Sequence, residues 1–360
     1  MKVDKSKWKK VKLGEVATYI NGFAFKPSDW KQVGLPIIRI QNLTDRGAIF
    51  NYCDRDDIPK KYLIDSGDVL ISWSATLGVF VWNNGKALLN QHIFKVVFNK
   101  GEINKNFFVF CIKNSIAEMS KHTNGVTMKH IRKGDFDNIQ IPLPPLYEQQ
   151  AIAKELDSIQ SMIGKCREQL EDYDRLARSI FHEMFGDPVN NEKGWECHLF
   201  GTICNVINGK SQKKVENLNG PYPIYGSGGL MGYASDYICE AGSTIIGRKG
   251  TINNPIYVKE KFWNIDTAFG LFPKNTNEMD YLFLYYLCRS IDFNSIKSGA
   301  AIPSLTKTDI NKLSIPLPPL PLQQQFAVRI EAIEKMKEAT KKQLADLQPL
   351  FDSRMQYYFS

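Results

Sequence analysis

Three short motifs in this chain carry residue types that could do chemistry. Gly209-Lys210-Ser211 has the ending of a loop that cradles phosphates with backbone N–H groups and a lysine, but the glycine required five positions earlier is Cys204. The run GSGGLMG from Gly226 puts Met231 where a dinucleotide-binding loop needs its third glycine. Asn254-Pro255-Ile256-Tyr257 has the outline of a tetrapeptide that clamps an adenine for methylation, with Ile256 in place of the needed proline and no glycine-rich cofactor loop before it. The histidines at 92, 122, 130, 182 and 198 form neither HExxH nor H-x-E, which removes the commonest zinc hydrolase and deaminase readings. No nucleophile stands near a base in any recognisable spacing. The expectation is a chain without a catalytic or metal site of its own.

Other polar residues fall in predicted turns and suit a different chemistry. In the first half they are Arg39, Gln41, Asn42 and Thr44; Ser72, Trp73 and Ser74; Asn90, Gln91 and His92; and Thr127, Lys129, His130 and Arg132. In the second half they are Lys210 and Ser211; Tyr225, Ser227 and Gly228; Arg248, Lys249 and Thr251; Asp266 and Thr267; and Ser304, Thr306 and Lys307. Arg, Lys, Gln, Asn, Ser and Thr are the side chains that read base edges and hold phosphates. Any solvated turn is polar, so single positions weigh little; the collection points to DNA. The stretch IIRIQN predicts a β-edge carrying one cation and two amides.

What must position these turns is visible as a duplication. IPLPPL occurs at Ile141 and again at Ile315, each time before a glutamine-rich helix start. A shift of 174 residues also places Gln149 on Gln323, Ile159 on Ile333 and Phe185 on Phe359. Upstream, GVTMKHIRKGDFDNI lies over GAAIPSLTKTDINKL at the same shift, and GDVLISW over GSTIIGR at 175. At 187, WKKVKLGEVATYING from Trp8 lies over WECHLFGTICNVING from Trp195. Three nearby shifts mean one order of parts with small loop insertions. Proline cannot donate a ladder hydrogen bond and favours extended backbone, so IPLPPL reads as a strand end feeding stiffly into a helix rather than as a polyproline ligand.

After the first IPLPPL, apolar positions run Ile152, Leu156, Ile159, Ile163, Cys166, Leu170, Tyr173, Ala177, Ile180, Met184, in steps of four and three. That is a coiled-coil seam, stopped at Gly186-Asp187-Pro188. The rod should be about 57 Å long at ~1.5 Å per residue and cannot bury its seam alone. The second copy offers Phe326, Ile330, Ile333, Lys337, Thr340, Leu344, Leu347, Phe351, Arg354 and Tyr358, with Met336 and Leu350 expected to help where the seam turns polar. Antiparallel packing of the two rods is the expected solution.

The two blocks read as α+β. IIRI, DVLIS, GVFVW and FKVVF are the strands expected in the first, and TIIG, PIYV and FGLFP in the second. NKNFFVFCIKNSIAEM and MDYLFLYYLCRSI read as their buried helices. The expected division is 1–146, 147–186, 187–320 and 321–360. Net charge is +8, yet residues 1–140 carry +9, 141–186 carry −3, and the later segments +1 each. The first block therefore has the basic balance of a polyanion binder, and the second does not. Seven cysteines without a CxxC pair suggest reduced thiols, and no apolar run reaches membrane length, so a cytoplasmic protein without a membrane partner is expected.

Two β-rich blocks, each opening W-x4-[LF]G-x5-ING and closing G-x5-L-x-K-x-D-x5-IPLPPL-x2-QQ before a long helix, resemble the specificity subunit of type I restriction-modification systems. The first block departs from the closing pattern at Ile131, where the leucine is expected. The resemblance spans nearly the whole chain. It implies two target-recognition domains, each reading half of a bipartite double-stranded DNA site, with the helices fixing the gap and docking two methylation subunits. It further implies that S-adenosylmethionine, ATP and Mg belong to methylation and restriction subunits, with no cofactor in this chain. Two other readings compete: a self-contained adenine methyltransferase or nuclease with degenerate motifs, which turnover by the pure chain would reveal, and a scaffold without a DNA role, against which the basic first block speaks.

Overall fold

The computed structural model describes residues 3–45, 47–74, 76–122, 133–249, 251–296 and 304–359. Two compact units divide the chain: Met1–Lys165 with Leu344–Ser360, and Cys166–Gln343. Each long helix is shared between the two units. Their apolar stripes complete the cores of the units, as Ile152, Leu156, Met355 and Tyr358 do in the first.

In the first unit a four-stranded antiparallel sheet has the order Thr18–Asn21, Ile93–Val97, Val69–Ser72, Gly78–Val81. The helix Lys105–His122 covers it with Phe107, Phe108 and Ile112, all buried. A second sheet orders Asn51–Cys53, Leu35–Ile38, Ala87–Leu89, Leu63–Ile64, with a parallel pair in its middle. The second unit repeats this. Its sheet runs Cys204–Asn208, Ala268–Pro273, Ser243–Gly247, Ile256–Val258 beneath the helix Tyr281–Ser290. A smaller sheet places Tyr222–Gly226 between Gly229–Ala234 and Trp263–Asn264, again with one parallel pair. The strands expected at DVLIS, GVFVW, FKVVF, TIIG, PIYV and FGLFP and both buried helices are present. IIRIQN is different. Its strand Leu35–Ile38 lies inside the sheet, and Gln41 and Asn42 belong to the short helix Ile40–Thr44. The Asn42 side chain accepts from the Arg39 backbone N–H at 3.0 Å and donates to the Ala48 and Ile49 carbonyls, which turns the chain out of the strand.

The proline hexapeptide ends a strand in both copies. Gln140–Leu143 pairs antiparallel with Lys9–Lys12, and Ser314–Pro316 with Cys197–Leu199. Each block's first and last segments are thereby clasped. The glutamine that follows has a structural task. Gln149 is 1% exposed; its amide donates to the Pro144 carbonyl at 2.8 Å, and its oxygen accepts from the Asn104 N–H at 2.8 Å. Gln323 repeats this with the Pro318 carbonyl at 2.7 Å, the Glu278 carbonyl at 2.9 Å and the Asp280 N–H at 2.8 Å. One side chain thus ties the long helix's first turn to the loop that starts the block's buried helix. Leaving buried partners of this kind unpaired costs ~1–3 kcal/mol each. Gln323→Glu, which keeps the shape but removes the donors, is expected to destabilise the protein by about 3 kcal/mol in urea titrations.

The long helices, Leu146–Phe185 and Leu320–Phe359, each have 40 residues and begin one residue before the expected boundaries. Gly186, at φ +77°, ends the first and donates its N–H to the His182 carbonyl, as a helix-capping glycine does. Seam residues Ile152, Leu156, Ile159, Ile163, Phe326, Ile330, Ile333 and Leu347 are buried, and Leu170 and Leu344 half-buried. In the second unit Phe181 meets Phe326 at 5.6 Å between ring centres, and Asp174 meets Lys337 at 3.0 Å, so the helices run antiparallel. Met336 and Leu350 do not help the seam; they are 42% and 46% exposed. The polar seam positions find partners instead. Lys337 pairs with Asp174 and Glu334, Thr340 is buried, and Arg354 pairs with Glu155. The buried stripe also widens to Phe181 and Phe185, which pack against the second block's helix.

Burial alone would raise the Glu155 carboxyl, but hydrogen bonds, including those from Arg354 and Tyr358, outweigh it and hold it at about 2. A carboxylate depressed in the folded state contributes stability above its unfolded value near pH ~4.3, and that contribution is lost as pH falls toward 2. Acid titration of the intact protein should therefore show loss of stability through this window, and Glu155→Gln should flatten the response while lowering stability at neutral pH. Among the described residues no helix is long and apolar enough to cross a membrane.

Candidate nucleic-acid interface

The candidate turns converge because three chain crossings recur in both units. After the first sheet strand, the Gly22 N–H donates to the Ile93 carbonyl at 3.1 Å and the Phe23 N–H to the Leu89 carbonyl at 2.8 Å. In the second unit Gly209 donates to Ala268 at 3.2 Å and Lys210 to Asn264 at 2.8 Å. The third sheet strand ends in the same way, Trp73 N–H on the His92 carbonyl and Arg248 N–H on the Thr267 carbonyl. The repeated ING is explained by these crossings. A Cβ on Gly22 would stand 2.1 Å from the Asn90 oxygen, and one on Gly209 1.7 Å from the Ile265 oxygen. Only glycine lets the backbones pass.

On this shared frame the side chains differ. In the first unit Trp73 stacks on Phe94 at 5.7 Å, meets the His92 ring edge-on at 5.4 Å, and donates its indole N–H to Asn21 at 3.1 Å. The Nδ1 of His92 is buried without a hydrogen-bond partner among the described residues. Asn90 gives its N–H to the Ile38 carbonyl, so Arg39 and the short helix bearing exposed Gln41 adjoin the same turn. Arg39 lies over the Trp30 ring at 5.3 Å. Ser72 and Ser74 are buried, and the Ser72 hydroxyl donates to the Thr76 carbonyl, so neither faces a groove. Asn42 and Thr44 are engaged with the backbone of their own turn. Gln91 is half-buried, its N–H held by the Asn90 side chain. Thr127, Lys129, His130 and Arg132 lie outside the described residues.

The second unit brings together exposed Lys210, Ser211, Arg248, Lys249 and Asp266, with half-buried Thr267 between them. Leu305 donates its N–H to the Arg248 carbonyl and so brings Ser304 to the cluster. Thr306 is spent otherwise: it caps the helix Lys307–Asn311, its hydroxyl accepting from the Asp309 N–H while Asp309 reaches back. The Thr-x-x-Asp spacing is a legible capping signal. Lys307 is exposed on that helix. Tyr225 lies in the strand Tyr222–Gly226 with its ring edge-on to Phe262, and burial raises its phenol. Ser227 and Gly228 form the turn that follows.

Of the motifs with apparent catalytic outlines, Asn254 to Tyr257 lines a pocket together with Tyr285 and Tyr286. Asn254-Pro255-Ile256-Tyr257 enters the strand Ile256–Val258, with Tyr257 against Tyr285 at 5.6 Å. All seven cysteines are free thiols, six of them buried. Burial pushes Cys204 and Cys239 up to about 12, which keeps the reactive thiolate unpopulated. Among the described residues no group of His, Cys, Asp and Glu stands together as a metal-holding set. Sequence reasoning missed Asn21, Trp30, Lys213 and Lys214, as well as the glutamine pair, whose coincidence at the 174-residue shift was the available signal.

Comparison with known proteins agrees with this architecture. The family described as type I restriction modification DNA specificity domain matches residues 5–171 and 192–348. The chain is 28% identical to the EcoBI specificity subunit of Escherichia coli over 173 residues, 48% of this chain and 36% of that protein. It is 23% identical to the MjaVIII specificity subunit of Methanocaldococcus jannaschii over 387 residues, covering 93% and 88% of the two. The crystal structure of a type I S subunit from M. genitalium superposes with a TM-score of 0.68 over 100% of this chain and 98% of that one, at 18% identity. Two matched domains, each on the same crossed-strand frame and each followed by a 40-residue helix, place the chain in the type I restriction modification DNA specificity domain family.

Proposed function

We propose that this chain is the non-catalytic DNA-specificity subunit of a type I restriction-modification complex, in which each unit reads one half of a bipartite site. The observation that carries the reading is the recurrence of the same strand crossings in both units, bearing different polar and cationic side chains at their turns. A common frame presents both surfaces in the same way, while the change of side chains gives each its own sequence. The two long helices, each about 60 Å at ~1.5 Å per residue, set the gap between half-sites and dock two methylation subunits, one to each unit. S-adenosylmethionine, ATP and Mg act on the methylation and restriction subunits, and double-stranded DNA is the shared substrate.

The test is DNA binding with and without the methylation subunit. Alone, the chain should bind weakly and lose affinity steeply with salt; with the partner, it should prefer one bipartite sequence. A complete complex indifferent to sequence would remove the proposal, as would methyl transfer by the pure chain from labelled S-adenosylmethionine. Lys210→Met with Lys249→Met should lower the slope of log affinity against log salt by about 2 while leaving the preferred sequence unchanged.

A further inference from the structure

The two units differ at one position of the shared frame. Where a parallel strand pair delivers Ile38 beside Leu89, the first unit continues into the polar helix Ile40–Thr44. Where the matching pair delivers Tyr225 beside Asn264, the second unit continues into a tight hairpin instead. Its strands, Tyr222–Gly226 and Gly229–Ala234, close through Ser227 and Gly228, with Gly226 opposite Gly229. Gly229, at φ +117°, makes the turn, and with Gly226, Gly228 and Gly232 the ribbon is narrow.

This ribbon ends in apolar side chains that face solvent. Leu230 is 54% exposed and Met231 59%, whereas Tyr233, 44% exposed, lies toward the open end opposite Pro223. The Met231 sulfur lies over Gly226 beside Ile265, the residue that precedes Asp266 and Thr267. The tip therefore adjoins the turn whose Thr267 carbonyl holds Arg248. On its other flank the 3-10 turn Gln212–Lys214 leads into Val215 and Asn217, which bond to Ser235 and Tyr233. Lys213 and Lys214 are exposed there, as are Lys210, Arg248 and Lys249 nearby. The acids in this neighbourhood include Glu216, Glu260 and Asp266. Five cations, Lys210, Arg248 and Lys249 toward the tip and Lys213 and Lys214 toward the open end, flank a narrow ribbon with an apolar tip, complementary to a groove with phosphates at its rims and bases at its floor. The major groove admits a two-stranded ribbon, and the only apolar group it displays on its floor is the thymine methyl.

Resting on the DNA-reading function above, we propose that the hairpin enters the major groove of the second half-site and that Leu230 and Met231 read thymine methyl groups. This accounts for a recognition unit that carries a net charge of only +1 over residues 187–314. Apolar contact replaces part of what the first unit gains from polar groups.

The test uses the complete complex with its methylation subunit, after methylation mapping has given both half-sites. Replacing each thymine of the second half-site with uracil removes the methyl and leaves every hydrogen-bonding group in place. At least one such replacement is expected to weaken binding about five- to tenfold, and the Leu230→Ala, Met231→Ala variant should bind both DNAs equally. Its unchanged melting temperature and unchanged preference for the first half-site would show that it is folded. A second half-site without thymine, or uracil tolerated at every position, overturns the hairpin reading while leaving sequence-specific binding, and with it the proposed function, intact. Loss of the methylation subunit from the variant, with free-chain DNA binding unchanged, overturns it in favour of a protein-docking tip. Strong 2-aminopurine fluorescence at one base step would overturn it in favour of a wedge that unstacks the duplex.

Discussion

Removing one heptad from each long helix is expected to abolish methylation at the original bipartite site and to create a new site with the same two halves and a gap shorter by about three base pairs. Seven residues at ~1.5 Å each shorten a helix by about 10 Å, and one turn of B-DNA, ~34–36 Å, holds about ten base pairs. The deletions must be matched. Lys337 opposite Asp174 and Phe326 opposite Phe181 fix the register, so a single deletion would slide buried seam residues onto charged ones. Methylation mapping reads the result directly. A changed half-site would sink the claim, because the proposed function assigns the half-sites to the turns and the gap to the rods.

The second large effect is on stability. Phe326 is fully buried where the second long helix meets the block, with Phe181, Phe185 and Tyr286 at 5.6, 5.3 and 5.2 Å between ring centres. Phe326→Ala removes a ring from a close-packed aromatic group and should cost about 3–5 kcal/mol. A large fall in the urea midpoint is expected, with DNA specificity lost in parallel because the block would no longer be held to its helix. Phe326→Leu should recover most of the stability. A loss under ~1 kcal/mol for the alanine variant would mean that the ring is not packed as described.

Much of the fold was legible because its signals are local. Strands such as Val69–Ser72 and Ser243–Gly247 are short β-branched runs between turn residues, and the rods announce themselves by 4-3 spacing. The repeat was legible because the same backbone problems, the ING crossing and the proline-glutamine junction, recur and need the same residues. What escaped depends on partners distant in sequence. Gln149 looks like an ordinary polar helix residue until its bonds to Asn104 and Pro144 are seen. IIRIQN reads as a strand because nothing within it shows that Asn42 will take the Arg39 N–H. Met336 and Leu350 have the right chemistry for a seam, yet they point to solvent, since Lys337 and Arg354 bring their own counter-charges. At the interface, residue type separated candidates poorly. Thr306 and Asn42 serve their own backbones, whereas Leu230 and Met231, which no polar search would select, are among the most exposed groups beside the cations.

The glycine crossings bear on how such a chain can change its target. Gly22 and Gly209 let strands meet main chain to main chain, so the framework around the reading turns is bolted together by groups that every amino acid shares. Trp73 in one unit and Arg248 in the other occupy the same socket without altering it. New letters can therefore be set in the same composing stick, and a lineage can rewrite what it reads without relearning how to fold.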